Sequence, residues 1–513
     1  MTKNKELTFT KVLVTIGPSS ESKEKIEELI DLGVRLFRLN FKHNTVEWHK
    51  SVASLIKQVA EQKKVKVLVV LDLQGPSVRL KLGQENLKIK KGDRLRFVDK
   101  FDDLKAQNIC LNPAHLVKQL PNNARAYASD GGLSFFVEKQ GNNVYLVSQE
   151  DGVLRNNVAF SVEDIHFKGL EVLTERDKEG LSLLKEDVID LIALSFVSSA
   201  EDVKYVQDLA SKIAGKHIGI ISKIETKQGV KNIDEILDVS EAVMIARGDL
   251  ALQTPFYKLV AYQKHLIIKA KEKGKPVIVA TQMLESMTKN DFPTRAEISD
   301  VANAVLDKPD ALMLSGETAI GHAPIKVVDT MLQIIRYYES SWLYNLCEAG
   351  RRLAPAPRPI SAPRAGRGAR TSTSYPTSSI TTLDHTSTDD LTRMAQAAST
   401  WAQDYNSQDL RFIIVNANRM RSVDALTSLR PNKPIIVVTS NKQVADYALL
   451  RYAVAWSVYY KKSNNLNSQQ FVQENLIKAL AKIGHLKPGN RLLVLSENYI
   501  DKKAVYKLET IKV

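Results

Sequence analysis

The first two thirds of the chain repeat one pattern. Short apolar runs occur at 11–16, 34–39, 66–72, 189–194, 217–222, 241–246, 276–280 and 310–314, and each is followed by a segment with helical periodicity. Runs of this length, rich in Val, Ile and Leu and bounded by turn residues, read as buried strands. Gly17-Pro18 closes the first run, and Gly33 stands where a helix over 22–32 needs a C-cap. Eight strands alternating with helices predict an α/β fold, a (β/α)8 barrel built from 1–79 and 169–345. The gap at 80–168 is too long for one helix. It carries short alternating runs at 87–89, 93–97, 133–137 and 143–147 with glycine and asparagine turns, which predicts an inserted all-β lid domain. Such a domain can close over the barrel mouth and exclude water.

Beyond a helix over 325–341 the pattern breaks. Residues 351–383 hold no Asp or Glu and are dense in Pro, Ala, Arg, Ser and Thr, so 346–388 reads as a flexible linker. From 389 to 513 order resumes. A helix over 391–405 and strands at 410–415, 434–439, 454–459 and 491–496 predict a smaller C-terminal α/β domain.

The chemistry gathers at strand ends. Lys223 and Glu225 stand two apart beyond the apolar run 217–221. Residues i and i+2 of a strand share a face, so an ammonium and a carboxylate meet where a core strand ends. The next strand ends in Arg247-Gly248-Asp249, a turn that adds a second carboxylate. Two carboxylates beside a lysine suit Mg²⁺ (or Mn²⁺) with a polyanion, because Mg²⁺ takes one or two protein carboxylates and completes its shell with substrate oxygens and water. A buried ion pair that only orders two strand ends is the alternative. Arg38, Asn40, Asp72, Thr281, Gln282, Ser315 and Glu317 also follow strands. The C-terminal strand ends form the active-site mouth of such barrels, which weighs against a purely structural role.

Composition changes this picture little. The chain has 513 residues and a net charge of +14. Six arginines at 351–370 account for part of that excess, leaving +8 spread as scattered lysine. With no zinc spacing and no aromatic–basic RNA-binding motif, nucleic acid is not an expected partner. The only cysteines are Cys110 and Cys347, so no disulfide framework is implied. The polar N-terminus lacks a signal-peptide core and no apolar run is long enough to span a bilayer. A cytoplasmic protein without a membrane partner is expected.

The motifs together resemble the pyruvate kinase family over nearly the whole length except the linker. They are Thr15-Ile-Gly-Pro-Ser-Ser20, Arg38-Leu-Asn-Phe-Lys-His43, Leu71-Asp-Leu-Gln-Gly-Pro76, Ser195-Phe-Val197, Lys223-Ile-Glu225, Met244-Ile-Ala-Arg-Gly-Asp249, Ala280-Thr-Gln-Met-Leu-Glu-Ser-Met287, Pro293-Thr-Arg-Ala-Glu297 and Met313-Leu-Ser-Gly-Glu-Thr-Ala319. The resemblance implies a TIM barrel with a β lid and a C-terminal regulatory domain, in a homotetramer. It implies phosphoryl transfer from phosphoenolpyruvate to ADP, giving pyruvate and ATP. In that family pattern Glu225 and Asp249 hold Mg²⁺. Lys223 and Arg38 face the transferring phosphoryl group. Amides near Gly248 and Asp249 receive the substrate carboxylate, and Thr281 and Ser315 belong to the relay that protonates the enolate. Asn40, His43 and Arg79 face the nucleotide, and Asn40 and Asp72 belong to a monovalent-cation site.

Several positions depart from the family. Lys42 stands where a serine ligand to potassium is usual, and Leu73 where threonine is common. Ser77 replaces Glu or Lys, Glu21 an arginine near the nucleotide, Val158 a lid lysine, and Gln253 a glutamate. Leu429-Arg430-Pro431 is kept, but residues 416–421 do not resemble the usual sugar-phosphate loop. Leu73 fits the potassium-independent class, and the ammonium of Lys42 is expected to replace K⁺ by pairing with Asp72. K⁺ is therefore not expected to be required.

Three readings follow: an active pyruvate kinase, a Mg²⁺-dependent lyase of a 2-oxo acid, and a non-catalytic, metabolite-binding relative of pyruvate kinases. The linker reading makes its own prediction. Limited trypsin digestion should cut first at Arg352, Arg358, Arg364, Arg367 or Arg370 and leave the barrel intact. First cuts elsewhere, with this stretch protected, would refute it.

Overall fold

The structure is a computed structural model. It describes residues 7–341, apart from 101–102, 105–106, 129–131, 164 and 166, together with 381–383, 388–403, 409–461, 475–482, 484–500 and 503–513. Cys347 and the arginines of the expected linker lie outside the described residues.

Eight parallel strands close a barrel: β1 (Lys11–Ile16), β2 (Leu36–Asn40), β3 (Leu68–Asp72), β4 (Leu191–Leu194), β5 (Gly219–Ile224), β6 (Ala242–Ala246), β7 (Val277–Ala280) and β8 (Ala311–Leu314). The order is sequential, and β1 pairs with both β2 and β8. β4, β6, β7 and β8 are buried at every position, the mark of parallel strands covered on both faces. The outer helices carry local stop and start signals. Ser22 caps the helix Lys23–Leu32 by accepting from Lys25 N, and Gly33 ends it with φ 104°. Ser199 and Asp202 form a capping box on the helix Ala200–Ala214.

Between β3 and β4 the chain builds a second closed barrel of seven strands, with Leu80, Leu95, Ile109, Phe135 and Leu146 fully buried in its core. The strands over 133–140 and 143–148 extend the runs read from sequence, and the strand over 94–97 is one residue shorter than its run. Its first strand is Arg79–Leu82, pairing with Val158–Val162. Arg79 therefore already belongs to the lid sheet.

The C-terminal region is a six-stranded sheet in the order Thr381–Leu383, Lys503–Lys512, Arg491–Ile500, Leu410–Asn416, Ile435–Thr439, Val454–Tyr459. Two of these strands are absent from the sequence reading. Thr381–Leu383, inside the expected linker, pairs antiparallel with Lys503–Lys512. Lys503–Lys512 in turn forms a long antiparallel ladder with Arg491–Ile500. Its Lys507 and Glu509 interrupt the apolar run, but Tyr506 and Leu508 keep the period-two signal of a strand.

Candidate active site

The carboxylate of Asp72, at the end of β3, joins two cations. Arg38 on β2 donates through Nε to Oδ2 at 2.6 Å, and Lys223 on β5 donates through Nζ to Oδ1 at 3.1 Å. All three side chains are almost wholly buried. Register explains the meeting, because Arg38 lies opposite Val70 and Asn40 opposite Asp72 in the parallel ladder. Arg38 also donates through Nη1 to Thr15 Oγ1 at 2.9 Å, and that hydroxyl donates to Leu314 O at 2.8 Å. The guanidinium is thus fixed across three neighbouring strands.

Lys223 contacts Glu225 Oε1 at 3.0 Å and donates to Ser195 Oγ at 2.6 Å, and the Ser195 hydroxyl donates in turn to Leu73 O at 2.8 Å. The second oxygen of Glu225 accepts from Phe196 N at 2.7 Å. β5 runs to Ile224, so Lys223 sits on the strand and Glu225 just past it. Burial pulls the Lys223 ammonium toward neutrality, but Asp72 and Glu225 outweigh it and raise its pKa. Burial likewise pushes Asp72 up, and Arg38 with Lys223 brings it below its ordinary value. Both groups are therefore held charged. Glu225 differs. Burial raises its pKa, the nearby negative charge of Asp249 adds to the rise, and Lys223 only partly opposes them. A carboxylate destabilised by burial and by a second carboxylate is the environment a divalent cation relieves, and both donors are oxygens. Glu225 and Asp249 thus fit a Mg²⁺-type ion.

Asp249 is exposed in the first turn of the helix Arg247–Gln253. The amide of Gly248, expected to meet a carboxylate, donates instead to Thr281 Oγ1 at 2.8 Å. Thr281 and Gln282 both have positive φ, 71° and 54°, and so does Phe196 at 57°. Such conformations in residues with side chains cost energy and collect at functional sites. Arg247 secures the first two, donating to Thr281 O at 2.7 Å and Gln282 O at 3.1 Å. The next turn is fixed by buried Glu317, which accepts from Ser315 N at 2.7 Å and Leu284 N at 3.2 Å. The Ser315 hydroxyl oxygen is buried and has no hydrogen-bond partner among the described residues.

The residues expected on the nucleotide side lie around β2 and the lid base. Asn40 Oδ1 accepts from Lys42 N at 3.2 Å. His43 is exposed, and partial burial with the charges of Lys42, Arg38 and Arg176 holds its imidazole below its usual pKa. Arg79 donates to Ser77 Oγ at 3.0 Å and Asn157 O at 2.8 Å. Glu21 accepts from Trp48 Nε1 at 2.6 Å. One expectation needs correction. Lys42 does not pair with Asp72: its side chain is exposed, and Arg38 and Lys223 take one Asp72 oxygen each. Two buried cations on nearby barrel strands, β2 and β5, outcompete a lysine on a solvated loop. A cavity of about 230 Å³ runs from Ser195, Phe196 and Asp249 to Ser77, Ala159 and Lys168 at the lid.

Sequence reasoning misses the roles of Ser195, Arg247 and Glu317 here. Their signal is the same as for the others, a polar residue directly after a buried strand.

A closed parallel barrel with fixed cations and carboxylates gathered at its C-terminal mouth has the layout of a barrel enzyme's active site. The family model "Pyruvate kinase, barrel domain" matches residues 7–328. A pyruvate kinase of Chlamydia muridarum is 33% identical over 95% of this chain and 94% of its own. One from Geobacillus stearothermophilus is 33% identical over 94% of this chain and 77% of its own, and one from Clostridium perfringens 32% over 94% and 95%. The chain belongs to the pyruvate kinase family, a family of phosphotransferases that generally need a divalent metal.

Proposed function

We propose that the chain catalyses phosphoryl transfer from phosphoenolpyruvate to ADP, giving pyruvate and ATP in glycolysis. The observation that carries this reading is the Asp72 bridge, which joins Arg38 and Lys223 at the barrel mouth. Two fixed cations suit a phosphoryl group whose transition state spreads charge over its oxygens. Arg38 binds the phosphate and Lys223 stabilises its developing charge. Glu225 and Asp249 hold Mg²⁺, which supplies Lewis-acid stabilisation and orients the substrate. The unpartnered hydroxyl of Ser315 and the hydroxyl of Thr281 deliver the proton to the enolate carbon. Asn40, His43 and Arg79 meet the nucleotide from the lid side. The lyase and non-catalytic readings are not favoured by relatives that match across the whole chain.

A coupled assay tests the reaction. ADP-dependent pyruvate formation is expected, whereas ADP-independent cleavage of an oxo acid, or binding without turnover, would overturn it. Glu225→Gln and Asp249→Asn, each of which removes an anionic ligand while nearly keeping shape, should each lower turnover by at least about 100-fold. Near-normal Mg²⁺-dependent activity in Asp249→Asn would remove the assignment.

Potassium is not required in this reading. Lys42 takes the place of a serine oxygen ligand of the family's cation site, and Asn40 Oδ1 already accepts from the backbone N–H of Lys42, so two of the oxygen donors that would hold K⁺ are lost or engaged. Activity in K⁺-free, tris-buffered Mg²⁺ medium should lie within about threefold of that with K⁺. Strong activation by potassium would defeat this.

We further propose a cytoplasmic homotetramer, with no membrane partner. Among the described residues no helix is long and apolar enough to cross a membrane. Phe256, Tyr257 and Val260 are 76%, 72% and 58% exposed on one short segment, an apolar patch that assembly would cover. Light scattering should give a tetramer, and Phe256→Asp with Tyr257→Asp a smaller species. A monomeric unmodified protein would refute it.

A further inference from the structure

The strand Leu410–Asn416 has two chemically different ends. Its C-terminal end leads into the loop that departs from the family's sugar-phosphate pattern. Its N-terminal end opens on a separate groove of about 630 Å³. Arg336, Arg411, Lys433 and His485 line it together with one carboxylate, Glu339, and Phe9 and Phe412 supply apolar surface. Arg411 lies on the strand just before the ladder begins at Ile413 and Ile435, and Lys433 lies in the bend that leads into the partner strand, so the two cations come close at the mouth of the groove. Like charges brought together repel unless something between them compensates.

Among the described residues the nearby carboxylates offset these charges only in part, because each is engaged elsewhere. The two oxygens of Glu339 accept from Phe9 N at 2.8 Å and Thr10 N at 2.7 Å. Asp409 is bound by Arg491, Nε to Oδ2, at 2.8 Å. Arg336 has a fully buried Nε with no hydrogen-bond partner among the described residues. Electrostatics agree with the geometry: burial and Arg411 both lower the pKa of Lys433 and of His485, and Asp409 only partly offsets this at Lys433. One side of the groove is aromatic. His485 lies 6.2 Å from the ring of Phe412 and 5.1 Å from that of Trp456.

We propose that this groove binds a small organic phosphate monoester with an apolar body, its phosphate held by Arg336, Arg411 and Lys433 and its body against Phe412 and His485. Guanidinium groups match phosphate geometry through paired donors, and the ammonium adds a point charge. The volume falls within the small-molecule range of about 300–1,000 Å³, and the charges line a concavity rather than the extended basic stripe that a nucleic acid needs. The site is distinct from the barrel mouth and from the loop after Asn416.

Isothermal titration calorimetry on the full chain tests this, with phenyl phosphate as probe and phenol, inorganic phosphate and a single-stranded oligonucleotide as comparators. Phenyl phosphate should show a binding event that weakens at least tenfold in Arg411→Gln/Lys433→Gln and in Arg336→Gln, and persists in Arg411→Lys/Lys433→Arg. Pyruvate formation without probe should be unchanged in all of them, which separates this site from the barrel and reports that the variants fold. Phenol should not bind, and phosphate should bind more weakly than the ester. Isotherms identical in unmodified protein and glutamine variants, no phenyl phosphate binding at all, or binding of the oligonucleotide alone would each overturn the proposal.

Discussion

The site depends on one buried carboxylate. Asp72 bridges two cations that would otherwise repel each other inside a low-dielectric barrel end, and Glu225 adds a second negative charge at Lys223. Buried charges are tolerated only when paired and hydrogen-bonded, and removing one member of such a set costs about 3–5 kcal/mol. Arg38 and Lys223 therefore cannot relax toward solvent. They stay aimed at the mouth, and a phosphate arriving there meets positive charge already in position. The cost of gathering that charge is met in folding and not during the reaction.

Around this cluster the strand ends are strained and then fixed. Phe196, Thr281 and Gln282 take backbone conformations that side chains disfavour, directly after β4 and β7. Arg247 and Glu317 supply the hydrogen bonds that hold the neighbouring turns, and both are buried. The consequence is geometric: Phe196 N meets Glu225, and Thr281 Oγ1 meets the first turn of the helix that carries Asp249. The metal-binding candidates and the hydroxyl candidates thus share supports, and a change in one turn moves both.

Much of this is legible in the sequence because barrel strands are local signals. The eight runs are mostly apolar, and charged residues near or just beyond their C-terminal ends announce the mouth. The long family-like strings add the roles of Lys223, Glu225, Asp249 and Arg38. What is not legible is which of the strand-end charges pair. Asp72 and Lys223 are 151 residues apart, and the choice of Arg38 and Lys223 over Lys42 as partners is made by register and burial, which sequence spacing does not encode. The strand Lys503–Lys512 escapes for a related reason. Its charged positions dilute the apolar run, and its ladder partner, not its composition, makes it a strand.

The lid closes its sheet on itself and shares no strand with the catalytic barrel. Closure leaves its seven-strand sheet without a free edge, so no row of bare backbone donors and acceptors waits for a partner. A change in its angle to the barrel therefore breaks no ladder hydrogen bonds; it asks only for rotation at the two chain crossings and for side chains to part. The lid is in effect a small domain spliced into a loop, free to drift in sequence at its surface without endangering the larger fold. Val158 and Ser77, two departures from the family pattern, both lie on this spliced piece or at its root.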